Sequence, residues 1–303
     1  MNTEAFTKPV LLYFEDERDS ALRLAMAGKL ELAMIERHRF PDGEIKLRLP
    51  DKLPNQVVIL RTLNDPNEKL VELLLSAQTA RQLGARHLTL VAPYLAYMRQ
   101  DISFLPGETI SQRIIGRFLA SIFDAIITFD PHLHRVATLQ EAVPVANAVV
   151  LSGAPLLSDW IAAHRQHPLL MGPDEESAQW VALAAQRHGF DHAVCQKVRH
   201  GDHAVTIALP DMAFNARQVV LFDDVVSTGH TVAQATQLLL AAGAASVDVA
   251  VTHALFAGSA AQLLLDSGVE NIWSTDCIAH PSNVVSMAAT ISDALNRIYV
   301  NVI

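Results

Sequence analysis

The chain has little cysteine, few aromatics and fewer cations than anions. Its two cysteines in 303 residues, Cys195 and Cys277, show no metal-type spacing. That excludes a disulfide framework and makes a reducing compartment the default. Lys and Arg number 23 against 32 Asp and Glu, a formal net charge of −9, and no run of five basic residues occurs. Nucleic acid is thereby excluded as a main partner, because phosphate backbones bind basic faces. No uncharged apolar run reaches membrane-spanning length, and residues 1–9 lack the charged start and apolar run of a leader. The expectation is a cytoplasmic protein without a membrane partner.

What is present is core material. Half the residues are hydrophobic, and the length implies about two domains. Strand and helix patterns alternate, which predicts an α/β fold with mainly parallel sheets flanked by helices. The order also repeats. Residues 57–60 read as a strand, 70–83 as a helix with Leu70, Leu73, Leu74, Ala77 and Ala80 on one face, Gly84 as a stop and 87–91 as a strand. Residues 219–222, 232–242, Gly243 and 247–251 follow the same order. We infer two copies of one α/β fold; chance likeness of two stereotyped βαβ units is the alternative.

The remaining pattern predicts a helix over 110–123 with Ile114, Ile115, Phe118, Leu119 and Ile122 inward, and a strand over 125–129. A helix over 174–188 is opened by Gly172-Pro173-Asp174, and strands over 191–195 and 205–209 are joined by a loop. The domains are set at 1–146 and 147–284, with 285–303, strand-like at 298–303, able to pack back on the first.

The chemistry concentrates at Val219-Val220-Leu221-Phe222-Asp223-Asp224-Val225-Val226-Ser227-Thr228-Gly229-His230-Thr231. A buried strand runs into two carboxylates, a Ser/Thr/Gly turn and a helix N-terminus. Amide N–H groups, hydroxyls and the helix dipole at such a turn suit a phosphate. The carboxylates suit a sugar diol or Mg²⁺ beside it. Together they predict a sugar phosphate at Asp223, Asp224, Ser227, Thr228, Gly229, His230 and Thr231, at a strand end where open α/β sheets bind ligands. The first copy carries Arg61-Thr62-Leu63-Asn64-Asp65-Pro66 at that place, so only the second half should hold it.

Taken together, these residues resemble the ribose-phosphate pyrophosphokinase family, nearer its archaeal-type, class III-like members. The likeness spans nearly the whole chain: Arg39-Phe40-Pro41-Asp42-Gly43-Glu44, Pro93-Tyr94-Leu95-Ala96-Tyr97-Met98-Arg99-Gln100-Asp101, Asp130-Pro131-His132, Gly172-Pro173-Asp174, Lys197-Val198-Arg199 and Ser274-Thr275-Asp276-Cys277-Ile278. It implies two tandem phosphoribosyltransferase-type (type I) domains and transfer of a diphosphoryl group from ATP to the 1-hydroxyl of ribose 5-phosphate, with Mg²⁺ as cofactor. It further implies ATP contacts at Phe40, Asp42, Glu44, Arg99, Gln100 and Asp101, metal contacts at Asp130, His132 and Asp174, and cations at Lys197 and Arg199 closing over the phosphates. A homo-oligomer with the nucleotide site near a subunit interface is implied as well. On pattern alone Lys197 and Arg199 read as ordinary surface, Arg99 as an ion-pair partner of Asp101, and His134 as a weak metal candidate. Ser227 stands where more familiar members carry Asp. A phosphoribosyltransferase using preformed phosphoribosyl diphosphate and a non-catalytic regulatory homologue are the alternatives.

Overall fold

The computed structural model describes residues 8–133, 135–200 and 204–300, without the side chains of 197–200, 204–206 and 300. The chain divides into two units. One runs to Leu151 and resumes at Met287; the other is Ser152–Ser286.

The first unit comprises β1 (Val10–Tyr13), α1 (Arg18–Gly28), β2 (Glu31–Met34), β3 (Glu36–Arg39), β4 (Ile45–Arg48), β5 (Gln56–Leu60), α2 (Pro66–Gln82), β6 (His87–Val91), α3 (Ser111–Ile122), β7 (Ala125–Phe129), α4 (Leu139–Ala142) and β8 (Asn147–Leu151). Its sheet is parallel, in the order β2-β1-β5-β6-β7-β8. The continuous apolar runs of β5, β6 and β7 are buried on both faces, as parallel strands under helices on each side require. β3 and β4 pair as a separate antiparallel hairpin.

The second unit comprises α5 (Ala154–His164), β9 (Leu169–Gly172), α6 (Ala178–His188), β10 (Asp191–Val194), β11 (Gln196–His200), β12 (Ala204–Ala208), β13 (Gln218–Val225), α7 (His230–Ala241), β14 (Ser246–His253), α8 (Ala260–Asp266), β15 (Ile272–Thr275) and β16 (Asn283–Val285). Its parallel sheet runs β10-β9-β13-β14-β15-β16. Alternation along β13 sends Val219 and Leu221 into one apolar layer and Val220 and Phe222 into the other. Both sheets thus follow one strand order, second-first-third-fourth-fifth-sixth, and each inserts a hairpin after its second strand. The inferred duplication is visible in that shared topology.

Several expectations are corrected. The division at 146/147 cuts off β8, which is the edge strand of the first sheet. Residues 298–300 are not strand-like but end a helix, α9 (Ala288–Val300), while 301–303 lie outside the described residues. Ile291, Ala294, Leu295 and Ile298 recur at helical spacing and are all buried, so packing on α1 overrides the β-branched composition of the segment. The segment after 195, expected as a loop, forms strand 196–200, which pairs with 204–208, while 191–194 belongs to the parallel sheet. Leu74 and Ile114 point outward, at 38% and 57% exposure. In α3 the inner face passes instead through Gln112, Gly116 and Leu119, and a Cβ on Gly116 would lie 1.8 Å from the Ala142 carbonyl oxygen.

Candidate active site

β13 extends through the paired acids to Val225: Asp223 lies opposite Val251 of β14, and Val225 opposite His253. The carboxylates therefore belong to a rigid strand end rather than to the loop expected after Phe222. Gly229 takes φ +78 as the N-cap of α7, a left-handed conformation that favours glycine, and turns the chain into the helix. Two loop carbonyls are fixed from outside. The Phe256 amide donates to Val226 O at 2.9 Å, and the Ala257 amide to Ser227 O at 2.9 Å. With the carbonyls held, the amide N–H groups of residues 227–231 face no acceptor among the described residues. Clustered orphan donors at a helix N-terminus are the physical signature of an anion site.

The acids beside it repel one another. Asp224 is 2% exposed, and its amide donates to Asp223 Oδ1 at 2.9 Å. Burial, Asp224 and Asp174 together push the Asp223 carboxyl well above the ordinary carboxylate range. Asp174 is buried after β9, and its Oδ1 accepts the Glu176 amide at 3.0 Å. Gly172 is required just before it, because a Cβ there would meet Ser177 Oγ at 2.1 Å. Carboxylate oxygens are the donor type that Mg²⁺ takes, and a divalent cation would relieve this crowding of negative charge. No group of three His, Cys, Asp or Glu in metal-holding arrangement occurs among the described residues.

Lys197 and Arg199 lie on β11, with Ile207 and Val205 opposite, so alternate positions place both on one face of the ribbon. Their side chains, and the whole of His134, lie outside the described residues. Asp130 and His132 belong to the first unit, Asp174 to the second. Asp130 follows β7 at 5% exposure with φ +34, in the left-handed region that Asp enters more readily than most non-glycine residues.

In the first unit, Phe40, Asp42 and Glu44 form the turn of the β3–β4 hairpin. The Phe40 amide donates to Glu44 O at 2.8 Å, and Asp42 Oδ1 accepts the Glu44 amide at 3.1 Å. The Phe40 ring is 38% exposed, edge-on to His38 at 4.8 Å. Arg99 is exposed. Asp101 is 4% exposed and bonds Arg135 Nη1 at 2.7 Å, so its ion-pair partner is Arg135 rather than Arg99. Gln100 O accepts the Gln112 amide at 3.2 Å.

Sequence reasoning missed a buried ionic cluster in this unit. The Arg61 side chain is 1% exposed, and it lies 2.7 Å from Asp16, 3.3 Å from Glu17 and 2.6 Å from Glu72. Its only signal was an arginine closing an apolar strand. The loop amides are also satisfied here: Arg61 N donates to Val91 O, Thr62 N to Glu17 Oε1 and Leu63 N to Tyr94 O.

A tandem pair of six-stranded parallel sheets, one ending in an orphan-amide turn behind paired acids, defines the phosphoribosyltransferase-type class. Residues 10–122 match the family described as the N-terminal domain of ribose phosphate pyrophosphokinase, and residues 154–279 match the phosphoribosyl transferase domain. A ribose-phosphate pyrophosphokinase of Methanopyrus kandleri is 35% identical over 280 residues, covering 91% of this chain and 94% of the relative. One from Methanosarcina acetivorans is 35% identical over 279 residues, covering 92% and 96%. The chain belongs to the ribose-phosphate pyrophosphokinase family. The crystal structure of phosphoribosylpyrophosphate synthetase from Mycobacterium smegmatis has the same fold, with a TM-score of 0.84 at 22% identity over 97% of this chain and 100% of that one. No described helix is long and apolar enough to cross a membrane.

Proposed function

We propose that this chain transfers the diphosphoryl group of ATP to the 1-hydroxyl of ribose 5-phosphate. The 1-oxygen bonds to the β-phosphorus, the bond from that phosphorus to the α–β bridging oxygen breaks, AMP leaves, and the hydroxyl proton is lost. The observation that carries the reading is the set of orphan amides at 227–231 beside Asp223 and Asp224. The amides, with the hydroxyls of Ser227, Thr228 and Thr231, take the 5-phosphate. The acids take the ribose hydroxyls.

Such transfer needs in-line positioning and charge neutralisation rather than a covalent intermediate. Lys197 and Arg199 supply cations to the phosphate oxygens, where fixed donors act most strongly once water is excluded. Mg²⁺, when bound by Asp174 or by Asp130 and His132, supplies further neutralisation of phosphate charge. Phe40, Asp42, Glu44, Arg99, Gln100 and Asp101 serve the nucleotide. The same reading carries a cytoplasmic homo-oligomer.

Purified protein given ATP, Mg²⁺ and ribose 5-phosphate should release AMP in step with phosphoribosyl diphosphate. ADP as the only nucleotide product, or none, rejects the proposal. Consumption of phosphoribosyl diphosphate with a free nucleobase would point to a transferase instead.

A further inference from the structure

The strand registers let the two halves be compared position by position. Val57 pairs with Val10 of β1, and Val219 with Leu169 of β9; Glu31 pairs with Val10, and Asp191 with Leu169. Counting on from these anchors, Arg61 stands where the second half has Asp223, and Arg37 and Arg39 stand where it has Lys197 and Arg199. The place of the sugar-phosphate acid is thus filled by a cation of the chain itself. Phe14 lies beneath the Arg61 guanidinium, 4.6 Å from its ring centroid.

This cluster reaches out to the hairpin. Arg37 donates to Glu72 and stands 3.5 Å from Asp16; Arg39 donates to Glu68. Residues 37 and 39 share one face of a strand, and 68 and 72 share one face of α2 at nearly the same separation, so the two rows match. The hairpin is anchored at its base by buried Ile35 and Leu49 and along β4 by Leu47, which packs on the core, but β3 has no such hold. Every residue of β3 is exposed, and a lone two-stranded ribbon is marginal in water. Glu72 is wholly buried and held from the other side by Arg61.

We propose that Arg37 and Glu72, anchored by Arg61, are positioning residues that lock the β3–β4 hairpin so that Phe40–Glu44 is presented to the nucleotide. The proposal rests on the reading of that turn as nucleotide-binding. Arg37 is the informative site, because its side chain is 31% exposed and its loss leaves the buried Arg61–Glu72 pair intact.

Amide hydrogen exchange and steady-state kinetics of the full chain test it. Arg37→Met should speed exchange of the Phe40 and Gly43 amides by about tenfold, reporting local opening of the turn. It should raise KM for ATP by about tenfold while kcat and the KM for ribose 5-phosphate move less than about twofold. Arg37→Lys should restore most of the protection. Glu72→Gln should act in the same direction if it folds. Unchanged exchange, or faster exchange with an unchanged KM for ATP, overturns the proposal. Failure of the activity reading shows separately, as absence of product from the wild type, and the exchange arm still decides whether the ion pairs hold the hairpin.

Discussion

Asp223 is held in its least comfortable form whenever it is ionised. Burial and the charges of Asp224 and Asp174 raise its folded pKa above the ordinary value of about 4 that it has unfolded. The folded state therefore keeps a proton that the unfolded state has lost, and stability falls as pH rises from about 4 through the folded pKa. Asp223→Asn, with nearly the same shape, should melt higher than the wild type at pH 8, and the difference should vanish below about pH 4. Thermal melts across pH check this; an equal Tm at pH 8 would refute it. Activity should fall by about a hundredfold or more in the same variant, since the sugar hydroxyls lose their carboxyl partner. The thiols offer a second test at this scale. Burial, with Asp174 nearby, pushes Cys195 up to about 11, and Cys277 is buried too. Native protein should leave both unmodified by a thiol-specific disulfide reagent at pH 7.5, and both should react on unfolding. Asp223, Asp224 and the Ser/Thr/Gly turn were readable in the sequence because their chemistry is contiguous. The Arg61 cluster was not, because Asp16 and Glu17 are 45 and 44 residues away in the chain and nothing local pairs them.

Among the elements, the turn before α7 is the one whose geometry is set by a single residue. Gly229 takes φ +78, and Gly229→Ala should cost about 1 kcal/mol in urea unfolding and weaken ribose 5-phosphate binding more than ATP binding. Equal loss of both affinities would show a general effect instead. Helix α9 shows the limit of local reading. The segment ending Ile298-Tyr299-Val300 carries strand-type residues, yet Leu295 at 1% exposure and its helical neighbours pack on α1. Position in the tertiary fold decided between two periodicities that the sequence left close. Leu295→Ala should destabilise by about 3 kcal/mol, the usual cost of a large buried aliphatic. The same limit explains the missed strand: 204–208 was recognised, but its partner 196–200, rich in polar residues, read as a loop. β10 gives one edge to β9, and the chain continues after Cys195 into the ribbon.

Across the whole molecule, one topology has been used twice with the charge at the key position reversed. In the second half a strand-end acid faces other acids, and five consecutive amides lack acceptors among the described residues. In the first, Arg61 is already neutralised by Asp16, Glu17 and Glu72, and the amides of residues 61–63 are bonded within the chain. An anion arriving at the first strand end would have to displace carboxylates, buried Glu72 among them, from a buried guanidinium, and breaking such a buried pair costs about 3–5 kcal/mol before any new contact forms. Sugar phosphate should therefore bind once per chain, not twice, despite the duplication. Titration calorimetry with ribose 5-phosphate should give a stoichiometry near one. Gly229→Ala should weaken that single event, and Arg61→Met should leave its affinity within about threefold if the fold survives, because the Arg61 charge is already neutralised by Asp16, Glu17 and Glu72. Two equivalent sites, or a single site lost with Arg61 and spared by Gly229→Ala, would place the sugar phosphate in the wrong half and reverse the assignment of roles to the two copies.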